Sequence, residues 1–429
     1  MFRLAYLLLK QIFRLVIRIF YRRRVVLGKA HFRFDGPAIV VVNHPSTLMD
    51  VLNAGVEIRQ EMFFLANYGL FRHPVANWLL RRMYCIPVMR AEDQRPGEQR
   101  DNSAAFEASF QCLERGDVLF IAAEGVSWMN RFIRPLKTGA ARIALTAASR
   151  NDWVWDVKII PVGLSYSAPD QFRSEVVVQA GPPVFARQWA ADFTADPEGA
   201  IEALTAHLEQ QLQALTIHTR DEAGEVCIGR LEAIAAQDNP LPLAARFHRS
   251  QLFTARFLDD AALRHGVDTY FEVLKENRAS DKGIALRSAR RPYRATLAES
   301  ALLTLGAPVF LPAIACWFLP CFIPWAVNKS LKLYVGYSAV VKIFFGIITF
   351  PLAIWAVYAA ALRVSGGVLP ALAAVGGMIL LGFFCESYLQ LAQNMAARMR
   401  AFLLPPETVG KLNEMRENIA RRLRAASAD

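Results

Sequence analysis

The sequence predicts an α/β domain, a mixed sheet flanked by helices, with an N-terminal interfacial helix before it and a C-terminal transmembrane helical hairpin after it. Three observations carry this. Between about Phe32 and Val184, short apolar runs of strand length alternate with helical patterns, which reads as a sheet covered by helices. The first 29 residues combine apolar positions with regularly placed cations, and no acid occurs before Asp35. Beyond residue 299 the chain turns into apolar segments of membrane-spanning length.

Residues 1–30 carry Arg3, Lys10, Arg14 and Arg18, then Arg22, Arg23 and Arg24. The apolar stretches between these cations are too short for a span, and no small-residue cleavage site follows. A basic amphipathic helix on an anionic membrane surface accounts for the pattern. Residues 31–185 hold the α/β domain. Its candidate strands are 37–42, 62–66, 85–88, 118–123, 157–164 and 175–180, and its candidate helices 49–60, 74–83, 101–115 and 138–150. Residues 186–298 become helical, charged and alanine-rich, with no visible chemistry. In the membrane-embedded region 299–395, the stretch 302–327 carries Pro308, Pro312, Pro320 and Pro324, so a broken, re-entrant or interfacial element is expected there. Stretches 335–362 and 366–385, separated by a short turn, form the expected hairpin. Residues 396–429 form a basic tail. Placing this tail and the basic N-terminus on one cytosolic side requires an even number of spans.

Bulk composition narrows the class. The 429 residues are 54% hydrophobic and 20% charged, greasier than an average soluble enzyme. A net charge of +11 favours anionic partners: lipid headgroups, phosphorylated substrates or coenzyme A. Nucleic acid is not among the expected partners, because no zinc-finger spacing and no long basic–aromatic stripe occurs. The six cysteines, Cys85, Cys112, Cys227, Cys316, Cys321 and Cys385, form no CxxC pair and read as small packing residues in a reducing compartment.

Four blocks could carry chemistry. In the first, an apolar strand ends in Asn43-His44-Pro45-Ser46, and Asp50 follows. Pro45 suits a first helical turn, so His44 falls at the lip of the sheet, where open α/β sheets bind ligands. Residues six apart do not share a helix face; His44 and Asp50 meet only if the chain bends at 45–47. A carboxylate on one ring nitrogen would fix the tautomer and leave the other to take a proton from an alcohol. A capping or packing histidine is the plainer reading of this block alone. In the second block, Arg90 follows a strand and could hold a phosphate by two parallel hydrogen bonds. In the third, a strand ends in Glu124-Gly125-Val126-Ser127, and a helix opens at Lys137-Thr138-Gly139 after Arg131 and Arg134. Glycine permits close backbone approach, and a helix N-terminus offers N–H groups to anions. The fourth, Ile159 to Tyr166, is a buried-type strand with Pro161, whose Gly163-Leu164-Ser165-Tyr166-Ser167 lacks the last glycine of a hydrolase elbow.

Together and in this order, the blocks resemble the glycerolipid acyltransferase family, the glycerol-3-phosphate and 1-acylglycerol-3-phosphate acyltransferases. The resemblance is to a branch with five residues between the motif His and Asp. It covers about 32–184 and extends more loosely to the C-terminal apolar hairpin. It implies that His44 is the general base and Asp50 its orienter. It implies that Asn43, Ser46, Arg90, Glu124, Gly125, Ser127, Arg134, Lys137 and Gly139 bind substrate. Two departures matter: Ala122-Ala123 replaces the usual Phe-Pro, and Val126-Ser127 stands where an arginine often follows Glu-Gly. The phosphate-binding arginine must then come from elsewhere, with Arg90 and Arg134 as the candidates; if neither serves, the acceptor is not a simple glycerol phosphate. The implied reaction moves a fatty acyl group from acyl-CoA or acyl carrier protein to lysophosphatidate or glycerol-3-phosphate at a membrane surface. The implied place is a multi-pass protein of a bacterial inner membrane. No metal and no cofactor beyond the acyl donor are expected. The alternatives are another lysolipid acceptor, or a non-catalytic membrane scaffold with an acyltransferase-like body.

Overall fold

A computed structural model describes residues 2–90, 93, 94, 99, 101–288, 292–331 and 334–428. The chain divides into two compact units. Unit 1 is Met1–Arg220 with Tyr334–Val340, and unit 2 is Asp221–Leu333 with Val341–Asp429.

Unit 1 is built on an eight-stranded mixed sheet. Its strands are β1 (Arg23–Leu27), β2 (Ala38–Val42), β3 (Met62–Asn67), β4 (Cys85–Val88), β5 (Val118–Ala122), β6 (Lys158–Tyr166), β7 (Glu175–Ala180) and β8 (Val184–Phe185). The order is β1-β7-β6-β2-β5-β3-β4, with β8 beside β6. Strands β6, β2, β5, β3 and β4 are parallel to one another. Strands β7 and β8 run antiparallel to β6. The carboxyl ends of β2, β4, β5 and β6 therefore line one edge of the sheet. Pro161 sits inside β6, which a proline normally avoids. It falls where β6 changes antiparallel partner, from β8 at Ile159 to β7 at Val162.

Strand β2 is apolar throughout because both its faces are covered. Ile39 and Val41 enter a cluster with α4 (Ser103–Glu114), α5 (Gly139–Arg150) and α7 (Pro197–Ala214). Each such fully buried aliphatic side chain stabilises the fold by roughly 1.5–3 kcal/mol. Helix α7 contributes Ala200, Ile201, Leu204, Leu208 and Leu212 to that cluster, and the sheet takes in β1. The α/β domain is thus larger than 31–185 at both ends.

The N-terminus differs from its expectation in extent. Helix α1 (Phe2–Phe20) stops short, and Arg23 and Arg24 lie on β1. Cations suit the edge of a sheet, where they discourage further pairing. Two cations of α1 turn toward the body of the unit. Lys10 donates to the Ile58 carbonyl and Arg14 to the Val56 carbonyl, while Ile17 and Phe20 are buried. The exposed large apolar side chains of α1 are Leu4, Leu7, Leu8, Ile12, Leu15 and Ile19. The helix shows an apolar stripe outward and uses Lys10 and Arg14 to tie itself to the residues just beyond α2 (Leu48–Gly55).

Unit 2 is helical: α8 (Glu222–Asp238), α9 (Leu243–Phe257), α10 (Ala261–Glu276), α11 (Asp281–Ser288), α12 (Pro292–Leu331), most of α13 (Ser338–Ser365), α14 (Val368–Phe402) and α15 (Pro406–Ala428). Among the described residues, three helices are long and apolar enough to cross a membrane: Ala295–Leu331, Val335–Ser365 and Val368–Phe402. The last two correspond to the expected hairpin. The first corrects the expected broken element, because α12 runs unbroken through Pro308, Pro312, Pro320 and Pro324. A proline costs a helix one N–H and frees the carbonyl four residues earlier. Pro324 frees the Pro320 carbonyl, and that oxygen accepts from the Thr349 hydroxyl at 3.1 Å. A neighbouring helix that re-satisfies the carbonyl lets the proline stay. The basic tail is likewise ordered. Helix α15 buries Leu412, Ile419 and Leu423, and Arg416 pairs with Asp238 and Asp281.

Candidate active site

The chain leaves β2 at Asn43, turns at Pro45–Thr47 and enters α2. This turn brings His44 and Asp50 together: Nδ1 of His44 lies 2.9 Å from Oδ2 of Asp50. The carboxylate is fully buried, whereas the imidazole keeps 19% of its side-chain surface. With the proton on Nδ1 donated to Asp50, Nε2 holds the lone pair.

Asp50 is fastened on both oxygens. Oδ2 also accepts the Ser46 N–H at 2.8 Å, and Oδ1 accepts the Tyr166 hydroxyl at 2.8 Å. Burial pushes the Asp50 carboxyl above its ordinary range, against the lowering effect of His44, Ser46 and Tyr166. Tyr166 is the last residue of β6, and burial holds its phenol well above the usual value. Its oxygen also lies 3.3 Å from Nδ2 of Asn53, which in turn meets the Tyr21 hydroxyl and the Met49 carbonyl. Arg24 closes the network on the Asn53 side chain and carbonyl. Tyr166, Asn53, Tyr21 and Arg24 were not singled out from the sequence for this role.

Several predicted acceptor contacts are bonded to the backbone instead. Asn43 clamps Leu164 through both its amide atoms, at 2.9 and 2.7 Å, joining the ends of β2 and β6. Glu124 accepts the N–H of His44 at 2.7 Å and of Arg134 at 3.1 Å. It braces the His44 loop, and both its oxygens are engaged in doing so. Burial raises its carboxyl as well. Ser127 Oγ accepts the Thr47 N–H at 3.2 Å, and Ser46 Oγ donates to the Pro169 carbonyl at 3.2 Å.

The predicted cations divide. Arg90 is held by Asp93 at 2.8 Å and donates to the Gly125 carbonyl at 3.0 Å. Arg134 lies flat on Trp128, 3.9 Å from the ring centre, with Phe132 at 5.3 Å. Its Nε is buried and unpartnered. Lys137 is exposed, and its stem crosses Gly125, where an added Cβ would meet Lys137 Cγ at 3.3 Å. Gly125 also has φ +77°, a conformation that favours glycine. Gly139 opens α5, and a Cβ there would meet open space. The Thr138 cap makes no side-chain bond, so the first N–H groups of α5 remain available to an anion. A small cleft beside His44 is lined by Asn43, Pro45, Met129, Arg131, Leu164 and Tyr166, among others.

A histidine held by a buried carboxylate, at the carboxyl edge of a parallel array and beside cations, is an arrangement that can take a proton from an alcohol. Comparison with known proteins agrees. Residues 23–165, from the first residue of β1 almost to the end of β6, match the acyltransferase family model. In this segment the chain is similar to glycerol-3-phosphate acyltransferases. Glycerol-3-phosphate O-acyltransferase 1 of Saccharomyces cerevisiae is 28% identical over 157 residues, 35% of this chain and 20% of that protein. Glycerol-3-phosphate O-acyltransferase 2 of the same yeast is 27% identical over 173 residues, 39% of this chain and 23% of that protein. The chain thus spans about a fifth of the length of these relatives. The 1-acyl-sn-glycerophosphate (LPA) acyltransferase PlsC of Thermotoga maritima matches with 19% identity and a TM-score of 0.36, over 50% of this chain and 81% of that one.

Proposed function

We propose that the chain is a membrane-bound O-acyltransferase of phospholipid synthesis, moving a fatty acyl group from acyl-CoA or acyl carrier protein to a hydroxyl of glycerol-3-phosphate or lysophosphatidate. The carrying observation is the His44–Asp50 pair, closed at 2.9 Å, with its imidazole open to the edge of the sheet. Nε2 of His44 takes the acceptor's proton as its oxygen attacks the thioester carbonyl. A C–O bond forms, the C–S bond breaks, and the proton leaves with the thiol. A positioned base of this kind contributes roughly 10²–10⁴-fold in rate.

The oxyanion needs donors that are already oriented. The N–H groups of His44, Ser46 and Thr47 are engaged within the protein. Among the described residues, those of Val126 and Ser127 in the adjacent turn carry no internal hydrogen bond and are the better candidates. For the acceptor phosphate, Arg134 is favoured over Arg90, because Arg90 already serves Asp93 and Gly125. Lys137 and the start of α5 would complete that anion site. Glu124 then serves the acceptor indirectly, through the loops of His44 and Arg134. The apolar stripe of α1 and the three long apolar helices support membrane attachment. The names of the two yeast relatives favour glycerol-3-phosphate as acceptor.

The test is acyl transfer from labelled acyl-CoA by the purified, detergent-solubilised chain, with glycerol-3-phosphate and lysophosphatidate offered separately. Product with glycerol-3-phosphate supports the favoured acceptor. Product with lysophosphatidate alone moves the reaction to the next acylation. Product with neither, and none with acyl carrier protein as donor, contradicts the proposal.

A further inference from the structure

Thr47 has φ 47° and ψ −118°. A β-branched residue rarely adopts positive φ, and such a conformation persists only where its surroundings over-determine it. Thr47 lies between His44 and Asp50 and immediately precedes α2. Its bend lets the Asp50 carboxylate reach back to the His44 ring and the Ser46 N–H.

Three hydrogen bonds hold the bend. The Thr47 N–H donates to Ser127 Oγ at 3.2 Å, and the Thr47 hydroxyl donates to the Gly336 carbonyl at 3.0 Å. The Tyr334 hydroxyl donates to the Ser127 carbonyl at 2.8 Å. Tyr334 and Gly336 come from Tyr334–Val340, a segment far along the chain that nonetheless belongs to unit 1. Gly336 is buried, and a Cβ on it would fall 2.5 Å from the Tyr334 ring and 3.3 Å from Thr47 Cγ2. Ser338 and Ala339, which follow, are buried as well. The segment is seated on the two loops that carry the candidate chemistry.

We propose that Tyr334 and Gly336 are positioning residues for acyl transfer, clasping Thr47 and Ser127 so that the strained turn keeps Asp50 on His44. This rests on reading His44 as the base. Loss of the clasp misaligns the pair without removing a contact to either substrate, so kcat falls while KM holds.

The experiment uses the full chain in detergent and compares Tyr334→Phe, Gly336→Ala and His44→Ala. Tyr334→Phe and Gly336→Ala are also made in a Thr47→Gly background, because glycine reaches this backbone conformation without restraint. Tyr334→Phe should lower kcat roughly fivefold, the scale of one hydrogen bond, with KM changed by less than about twofold. Gly336→Ala should lower it further. In the Thr47→Gly background both losses should shrink. An equal loss in both backgrounds would assign the segment to packing alone and overturn the proposal. Wild-type kcat in both clasp variants, with His44→Ala inactive, would overturn the clasp and leave the base reading standing. Full activity of His44→Ala would overturn both.

Discussion

Replacing Tyr166 with phenylalanine removes one oxygen and keeps the ring that packs 5.9 Å from Tyr21. What is lost is the 2.8 Å bond to Oδ1 of Asp50, a carboxylate with no solvent exposure. A hydrogen bond to a charged group contributes about 1.5–3 kcal/mol, so kcat should fall roughly 10- to 150-fold if that oxygen must stay ionised beside His44. The pH dependence gives a second readout. Burial already raises the Asp50 carboxyl and the Tyr166 bond opposes that rise, so Tyr166→Phe raises it further. The acid limb of the kcat profile should move to higher pH. A folded-state carboxyl raised above its unfolded value contributes stability that is present below the unfolded value, about 3.9, and lost as pH rises through the folded one. The variant's destabilisation should therefore be greatest at neutral pH and shrink in acid. Rates come from labelled acyl transfer across pH, and stability from thermal unfolding in the same detergent. A wild-type kcat with an unmoved acid limb would refute the role assigned to Tyr166.

Two further outcomes follow from single contacts. Arg134→Lys keeps the charge but loses the flat stacking on Trp128 at 3.9 Å, so KM for the phosphorylated acceptor should rise about tenfold with kcat nearly unchanged; steady-state kinetics with varied acceptor check this. Burial lowers the Lys10 ammonium from 10.5 to about 8, so folding releases its proton between these values and stability should rise with pH there. By linkage the rise is at most roughly 3 kcal/mol, and it should be absent from Lys10→Met in unfolding scans across that window.

The strands around the site were legible because buried parallel strands read as continuous apolar runs. That left only their carboxyl ends for chemistry, and His44, Arg90 and Glu124 all lie there. The meeting of His44 and Asp50 depended on a bend at 45–47, and a bend was foreseeable from Pro45. Its strained form at Thr47 was not, because it is imposed by Ser127 and Gly336, remote in sequence. Tyr166 was hidden for a related reason: a tyrosine at the end of an apolar strand looks like packing until its partner's position is known. Asn43, Glu124 and Ser127 have a bracing duty that the sequence did not show. Their side chains satisfy backbone groups that burial would otherwise leave unpaired, and no sequence pattern separates that duty from substrate contact. Which face of α1 is covered was not legible, because periodicity reports two faces without saying which one packs. Prolines were overweighted in α12, where the Thr349 hydroxyl supplies what Pro324 removes.

The most direct measurement of the central claim is the rate of labelled acyl transfer by His44→Ala beside wild type and Asp50→Asn, with each protein's folding checked by thermal unfolding. The account predicts a folded His44→Ala protein slowed by roughly 10²–10⁴-fold, and a slowed Asp50→Asn through the wrong imidazole tautomer. A folded His44→Ala protein that keeps most of the wild-type rate would contradict it.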